Sequence, residues 1–129
     1  SRKRPLPKPT GAELEILGVL WERGPATVRQ VHEALEARRG AGYTTVLKLM
    51  QIMAEKGLLE RDETGRAHVY KPAWKREETQ RQMVDDLLER AFGGSAAQLV
   101  MSALAGRRTP RKEMEEIRRM LDEYEGGKR

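Results

Sequence analysis

The chain has no cysteine and a single phenylalanine among its 129 residues. Without cysteine there is no disulfide scaffold, thiol nucleophile or cysteine zinc site, a usage that suits a reducing cytoplasm. One Phe, two Trp and three Tyr are few anchors for an apolar ligand pocket. No apolar run approaches the roughly 18 residues of a membrane span, so no membrane insertion is expected. Residues 1–9, SRKRPLPKP, carry no apolar stretch of the kind a signal peptide needs, and Ser1 in place of Met reads as a processed or engineered start. The only histidines are His32 and His68. No nucleophile–base spacing, Gly-rich phosphate loop or metal pattern surrounds them, so neither catalysis, a cofactor nor a metal is expected. His32 reads as a surface or packing residue of a short helix, and His68 as one on a hairpin strand. The acidic pairs Asp85-Asp86 and Glu115-Glu116 read as solvated helix faces.

What the chain does hold is charge. Charged residues are 35% of the sequence, with Lys+Arg 25 against Asp+Glu 20, which favours nucleic acid or an anionic surface. The excess is local: residues 2–8 supply four cations, and residues 10–73 hold nine of each sign. Any nucleic-acid contact made by residues 10–73 would therefore depend on where their cations point. Arg29, Lys48, Arg61, Arg66 and Lys71 are expected near the contact face. Apolar residues are 38%, lean for a chain that hides about two-thirds of its unfolded surface, and this favours cover from a partner subunit.

Residues 1–9 read as a flexible basic arm, since prolines remove amide donors and disfavour helix before them. Thr10 with Glu13 forms a T-x-x-E capping box, and Leu14, Leu17, Gly18 and Trp21 then recur at helical spacing until Gly24-Pro25. A second box, Thr27 with Gln30, opens a shorter helix with Val28, Val31 and Leu35 inward. After the break Gly40-Ala41-Gly42, Tyr43 to Lys56 is a third helix, with Val46, Leu49, Met50 and Met53 on its inner face and Gly57 at its C-cap. Leu58–Arg61 and Ala67–Pro72 flank the polar turn Asp62–Arg66 and predict a β-hairpin. Three helices followed by a hairpin predict a winged helix-turn-helix over residues 10–73. Beyond it, Trp74 to Phe92 reads as a long amphipathic helix. Ser95 with Gln98 boxes a short apolar one, and Thr109-Pro110 opens a last helix as cap and first position. The expected fold is mainly α with a small β-hairpin, an N-terminal winged helix joined to a C-terminal three-helix region over 74–129.

A helix fits the major groove, and the N-terminal residues of the second helix of the pair reach base edges. Tyr43 starts that helix, and removing its core face leaves Thr44, Thr45, Leu47, Lys48, Gln51 and Ile52 outward. Hydroxyls suit bases or phosphate, Lys suits guanine or phosphate, and Gln suits adenine. Thr44 alternatively serves as a cap. Leu47 and Ile52 either touch thymine methyls or join the core. Thr27 caps a helix whose dipole end could hold a phosphate beside Arg29. Arg66 at the hairpin tip either reaches the flanking backbone or is a solvated turn residue. Three one-sided helices over 74–125 cannot easily cover their own stripes, which predicts a homodimer sealed by Met83, Leu87, Leu88, Phe92, Leu99, Val100, Leu104, Ile117, Met120, Leu121 and Tyr124. A twofold pair would match a palindrome with half-sites about 34–36 Å apart or a multiple of that.

The segments TGAELEILGVLWERGPATVRQVHEAL, GYTTVLKLMQIMAEKGLLERDETGRAHVYKP and AFGGSAAQLVMSAL, with the final amphipathic helix, resemble the penicillinase-repressor (BlaI/MecI/CopY) regulators across residues 10–125. The resemblance implies a cytoplasmic repressor that blocks promoters of antibiotic-resistance or stress operons by occupying palindromic operators as a homodimer. It places Thr44, Thr45 and Lys48 where the family's reading helix meets DNA, and Leu47 where some members carry arginine. The copper-responsive branch uses C-terminal cysteines, which this chain lacks. In the β-lactam-responsive branch a sensor-linked protease system leads to cutting of the repressor in its dimerisation region. The corresponding bond here is Ser102–Ala103, where some members have Asn-Phe. The alternative is a winged-helix protein-interaction or ligand-sensing regulator without proteolytic control.

Overall fold

The computed structural model describes residues 6–39 and 42–128, with side chains described for residues 6–37 and 42–126. The cations Arg2, Lys3 and Arg4 of the expected arm, and the break at Gly40-Ala41, lie outside the described residues. Thr10, in extended geometry, caps α1 (Gly11–Arg23) with the full box. Its Oγ1 accepts from Glu13 N at 3.2 Å and its N–H donates to Glu13 Oε1 at 2.9 Å. The second box is equally complete. Thr27 Oγ1 accepts from Gln30 N at 3.2 Å and Thr27 N–H donates to Gln30 Oε1 at 2.9 Å, starting α2 (Val28–Arg39). Then comes α3 (Tyr43–Lys56), which ends at Gly57 with φ 89°. That left-handed conformation is cheap only for glycine, and it lets Leu58 N–H reach Met53 O at 2.9 Å.

Three strands, not two, make the sheet. Ala26–Thr27 forms β1 ahead of α2, and with β2 (Leu59–Asp62) and β3 (Val69–Pro72) it gives the antiparallel order β1-β3-β2. The extra strand is imposed by pairing, Ala26 with Tyr70 and Thr27 with Val69, because two residues carry no periodicity of their own. The hairpin's second strand also starts later than the sequence suggests, so His68 sits in the loop before β3.

The core joins Ile16, Leu17 and Leu20 of α1, Val31 and Leu35 of α2, Val46, Met50 and Met53 of α3, and Leu58, Leu59 and Tyr70. Each such side chain stabilises by about 1.5–3 kcal/mol relative to exposure. Leu49, expected inside, is half-buried at the edge of this cluster.

Among the described residues, one charged residue lies inside. Glu13 keeps 4% of its side chain exposed and meets Lys56 Nζ at 2.8 Å and 3.0 Å, while Lys56 keeps 35%. Burial alone would raise the Glu13 carboxyl above its ordinary 4.5. The Lys56 ammonium and the Thr10 amide together outweigh it and hold the group below that value. A carboxyl lowered in the folded state contributes stability above pH 4.5, lost as pH falls through the lower folded value. Glu13→Gln is therefore expected to cost about 1–3 kcal/mol at pH 7, less than a fully buried pair because water screens Lys56. Thermal melts should fall by about 4–8 °C per kcal/mol, and the gap from the parent chain should narrow below pH 4.5. A gap constant from pH 7 to pH 3 would overturn this account.

After β3, Trp74 lies outside the helix expected to include it: its indole N–H donates to Gly57 O at 3.0 Å. Helix α4 (Arg76–Ala91) follows, then α5 (Ala96–Ala105) and α6 (Arg111–Lys128). Only half of the third box forms. Ser95 Oγ accepts from Gln98 N at 3.1 Å, but Ser95 N–H is already donated to Phe92 O at 2.9 Å. Pro110 stands one position earlier than expected, its carbonyl accepting from Met114 N at 3.0 Å. The chain forms two compact units, one running to Asp85 and one from Asp86. From Gln80 to Gly126 no described residue is buried. None of the described helices is long and apolar enough to cross a membrane.

Candidate nucleic-acid interface

An open cleft of about 430 Å³ lies between the start of α2, the outer face of α3 and the hairpin loop. Its lining includes Thr27, Arg29, Tyr43, Leu47, Gln51 and Arg66, six residues proposed from the sequence, together with His68 and Tyr70. The helix-turn-helix brings the first two to the mouth of α3, and β3 folds the loop back over Leu47 and Gln51. Thr44, Thr45 and Lys48 do not line the cleft; they stand exposed beside it on α3.

Leu47 belongs to both surfaces. It is half-buried against the core while also facing the cleft, whereas Ile52 keeps 37% of its surface exposed. Thr44 is not a cap: Gly42 holds that position with no side-chain bond. The N-cap of α3 therefore offers its first amides no side-chain acceptor, at the positive end of the helix dipole. The Tyr43 ring is held at that end by His32, edge-on at 5.6 Å between centroids with planes at 83°. Thr27 spends its own amide on Gln30, and its hydroxyl proton remains a donor.

Two expected contact cations are diverted. Arg61 Nε lies 2.6 Å from Glu63 Oε2. A hydrogen bond to Tyr70 and the Glu63 carboxylate raise its guanidinium pKa above the ordinary value. Lys71 Nζ lies 3.7 Å from Glu60. The antiparallel register sets Glu60 opposite Lys71 and Arg61 opposite Tyr70, and both cations line a separate groove with Asp62 and Val69. In contrast, Arg29, Lys48 and Arg66 have no carboxylate partner among the described residues. The turn before Arg66 is held by Asp62, which accepts from Thr64 N at 3.0 Å and Thr64 Oγ1 at 2.7 Å. These bonds, the backbone one first, keep the Asp62 carboxyl below its usual range. His68 was missed as a cleft residue. It lies in the loop before β3, two residues from Arg66 on the hairpin that was expected to reach DNA, and that neighbourhood was the available signal.

A helix presenting hydroxyls, an amide and a lysine, flanked by a hairpin loop and by two arginines with no carboxylate partner among the described residues, defines a winged helix-turn-helix. Comparison with known proteins then gives the lineage. Residues 9–123 match the penicillinase repressor family, and the chain belongs to it. It is 38% identical over 116 residues to the transcriptional regulator BlaI of Mycobacterium tuberculosis H37Rv, covering 89% of this chain and 83% of that one. It is 23% identical over 124 residues to the penicillinase repressor of Bacillus licheniformis, covering 96% and 97%. The solution structure of the DNA-binding domain of the repressor BlaI superposes with a TM-score of 0.52 at 24% identity, over 58% of this chain and 92% of that one. The B. licheniformis BlaI monomer bound to the blaP half-operator gives 0.51 at 24% identity, over 57% and 90%. These two likenesses establish the winged-helix fold.

Proposed function

We propose that this protein is a DNA-binding transcriptional repressor that occupies palindromic operators as a homodimer. The observation that carries the reading is the convergence of Thr27, Arg29, Tyr43, Leu47, Gln51 and Arg66 on one cleft beside the exposed face of α3. Thr44, Thr45, Lys48 and Gln51 meet base edges. Thr27, Arg29, Tyr43 and Arg66 hold flanking phosphates, which fix register without specifying sequence. Leu47 contributes its outer edge to a thymine methyl. Twofold pairing through the apolar stripes of α4, α5 and α6 presents two such faces, and repression follows from covering promoter DNA. Membership of this family and relatives described as a transcriptional regulator and a penicillinase repressor support the reading.

Release follows from loss of the pair. Ser102 and Ala103 are exposed within α5, but a protease needs extended backbone, so cutting there requires this helix to open locally. Its C-terminal cap is modest, one bond from Gly106 N–H to Ser102 O at 3.1 Å. A sensor-linked protease acting on that opened turn would remove α6 and uncover Leu99, Val100 and Leu104.

A salt titration on a promoter duplex tests the central reading. Log affinity should fall linearly with log salt, with a slope of about −0.9 for each phosphate neutralised. Absence of retention on any duplex at low salt would overturn it in favour of a winged helix that binds protein.

A further inference from the structure

Two buried side-chain polar atoms have no partner among the described residues, Trp21 Nε1 and Gln82 Oε1. Both belong to a joint between the winged helix and the first turns of α4. Trp74 donates its indole N–H to Gly57 O at 3.0 Å, and the Arg76 guanidinium stands 5.7 Å from the centroid of the Trp21 ring. Thr79 is buried, and Gln82 Nε2 donates to the Leu6 carbonyl at 2.8 Å. The segment that receives Gln82 also crosses the end of α3, where Pro7 Cγ lies 4.0 Å from the position a Gly57 Cβ would take. The N-terminal segment, the C-cap of α3 and the start of α4 are thus pinned together. The compact unit containing them runs to Asp85, while α4 continues to Ala91.

The chemistry of the joint bears on its purpose. Apolar faces slide over one another at little cost, whereas single directional contacts such as Gln82 to Leu6 hold one geometry. We propose that the joint of Leu6, Trp21, Arg76 and Gln82 fixes the direction in which α4 leaves the winged helix, and so selects the separation of operator half-sites. Arg76 and Gln82 are positioning residues that act without touching DNA. The inference rests on the homodimeric repressor reading above. Each added base pair moves a half-site by about 3.4 Å and turns it by about 35°. A stiff joint rejects that displacement and a loosened one follows it.

The probe is a set of duplexes carrying one inverted repeat, its half-site recovered from a randomised pool, with zero, one or two base pairs inserted at the centre. The full chain should bind its preferred spacing at least about tenfold tighter than the next, because a misplaced second half-site forfeits its effective concentration. Arg76→Ala/Gln82→Ala should bind all spacings within about threefold, with single half-site affinity and sedimentation mass unchanged. A merely structural role would lower affinity at every spacing alike and leave the ratio intact; that result overturns the proposal. So does a parent chain that binds every spacing equally. A parent chain that binds no duplex overturns the repressor reading itself, which keeps the two failures distinct.

Discussion

A chain carrying Leu87→Asp and Leu121→Asp is expected to sediment as a monomer and to bind its operator about 10²–10⁴-fold more weakly than the parent. The expectation starts from burial. No described residue from Gln80 to Gly126 is buried, and Leu87 and Leu121 keep 48% and 59% of their surface exposed. Met83, Leu88, Phe92, Leu99, Leu104 and Ile117 are only half-buried. Helices with apolar stripes gain little from standing uncovered, and a second copy, as proposed above, would supply the missing cover. Each leucine hidden adds about 1.5–3 kcal/mol, and twofold symmetry counts it twice. An aspartate in the same place strands an unpaired charge in apolar surroundings, so the sign reverses. Loss of the pair then removes the effective concentration that delivers the second reading helix. Sedimentation measures the first step and anisotropy on the full palindrome the second. Affinity for a single half-site duplex should survive, because the winged helix has its own core. A variant still dimeric at micromolar concentration would refute the interface.

Local order was legible in the sequence where it is locally caused. Thr10 with Glu13 and Thr27 with Gln30 form the boxes their spacing announces, and α3 runs over Tyr43–Lys56 as its stripe and Gly57 require. What escaped was caused at a distance. Strand β1 exists because Ala26 and Thr27 find β3 more than forty residues on. The diversion of Lys71 to Glu60 and the bond of Arg61 to Tyr70 depend on hairpin register, which composition does not encode. Lys56 ends α3, and its partner is Glu13, far away in sequence on α1. The candidate site was legible to the extent that periodicity separates inner from outer positions on α3. Periodicity has no means of dividing Leu47 between core and cleft, since a residue at the edge of a stripe belongs to both.

Lys48→Ala is expected to produce the other large effect, and its pattern across sequences identifies what the lysine does. Lys48 is exposed on the outer face of α3, with no carboxylate partner among the described residues. Removing a base contact costs about 1–3 kcal/mol, and a homodimer makes the contact twice, so the loss on a palindrome approaches about 2–6 kcal/mol. At 1.4 kcal/mol per decade this is about 30-fold to 10⁴-fold. If Lys48 reads guanine, the loss falls on the parent operator and discrimination at one symmetric pair of positions relaxes. If it holds phosphate, every duplex weakens alike and the salt slope shrinks by about two per dimer. Arg66→Ala provides the contrast, because Arg66 sits in the hairpin loop and should show the phosphate pattern alone. The geometry of α3 favours the base pattern for Lys48. Its position one turn after Thr44, on the same exposed face, carries it toward the groove floor that the helix's N-terminal residues approach. Equal losses on operator and scrambled duplex would assign Lys48 to the backbone and leave Thr44, Thr45 and Gln51 to carry the sequence.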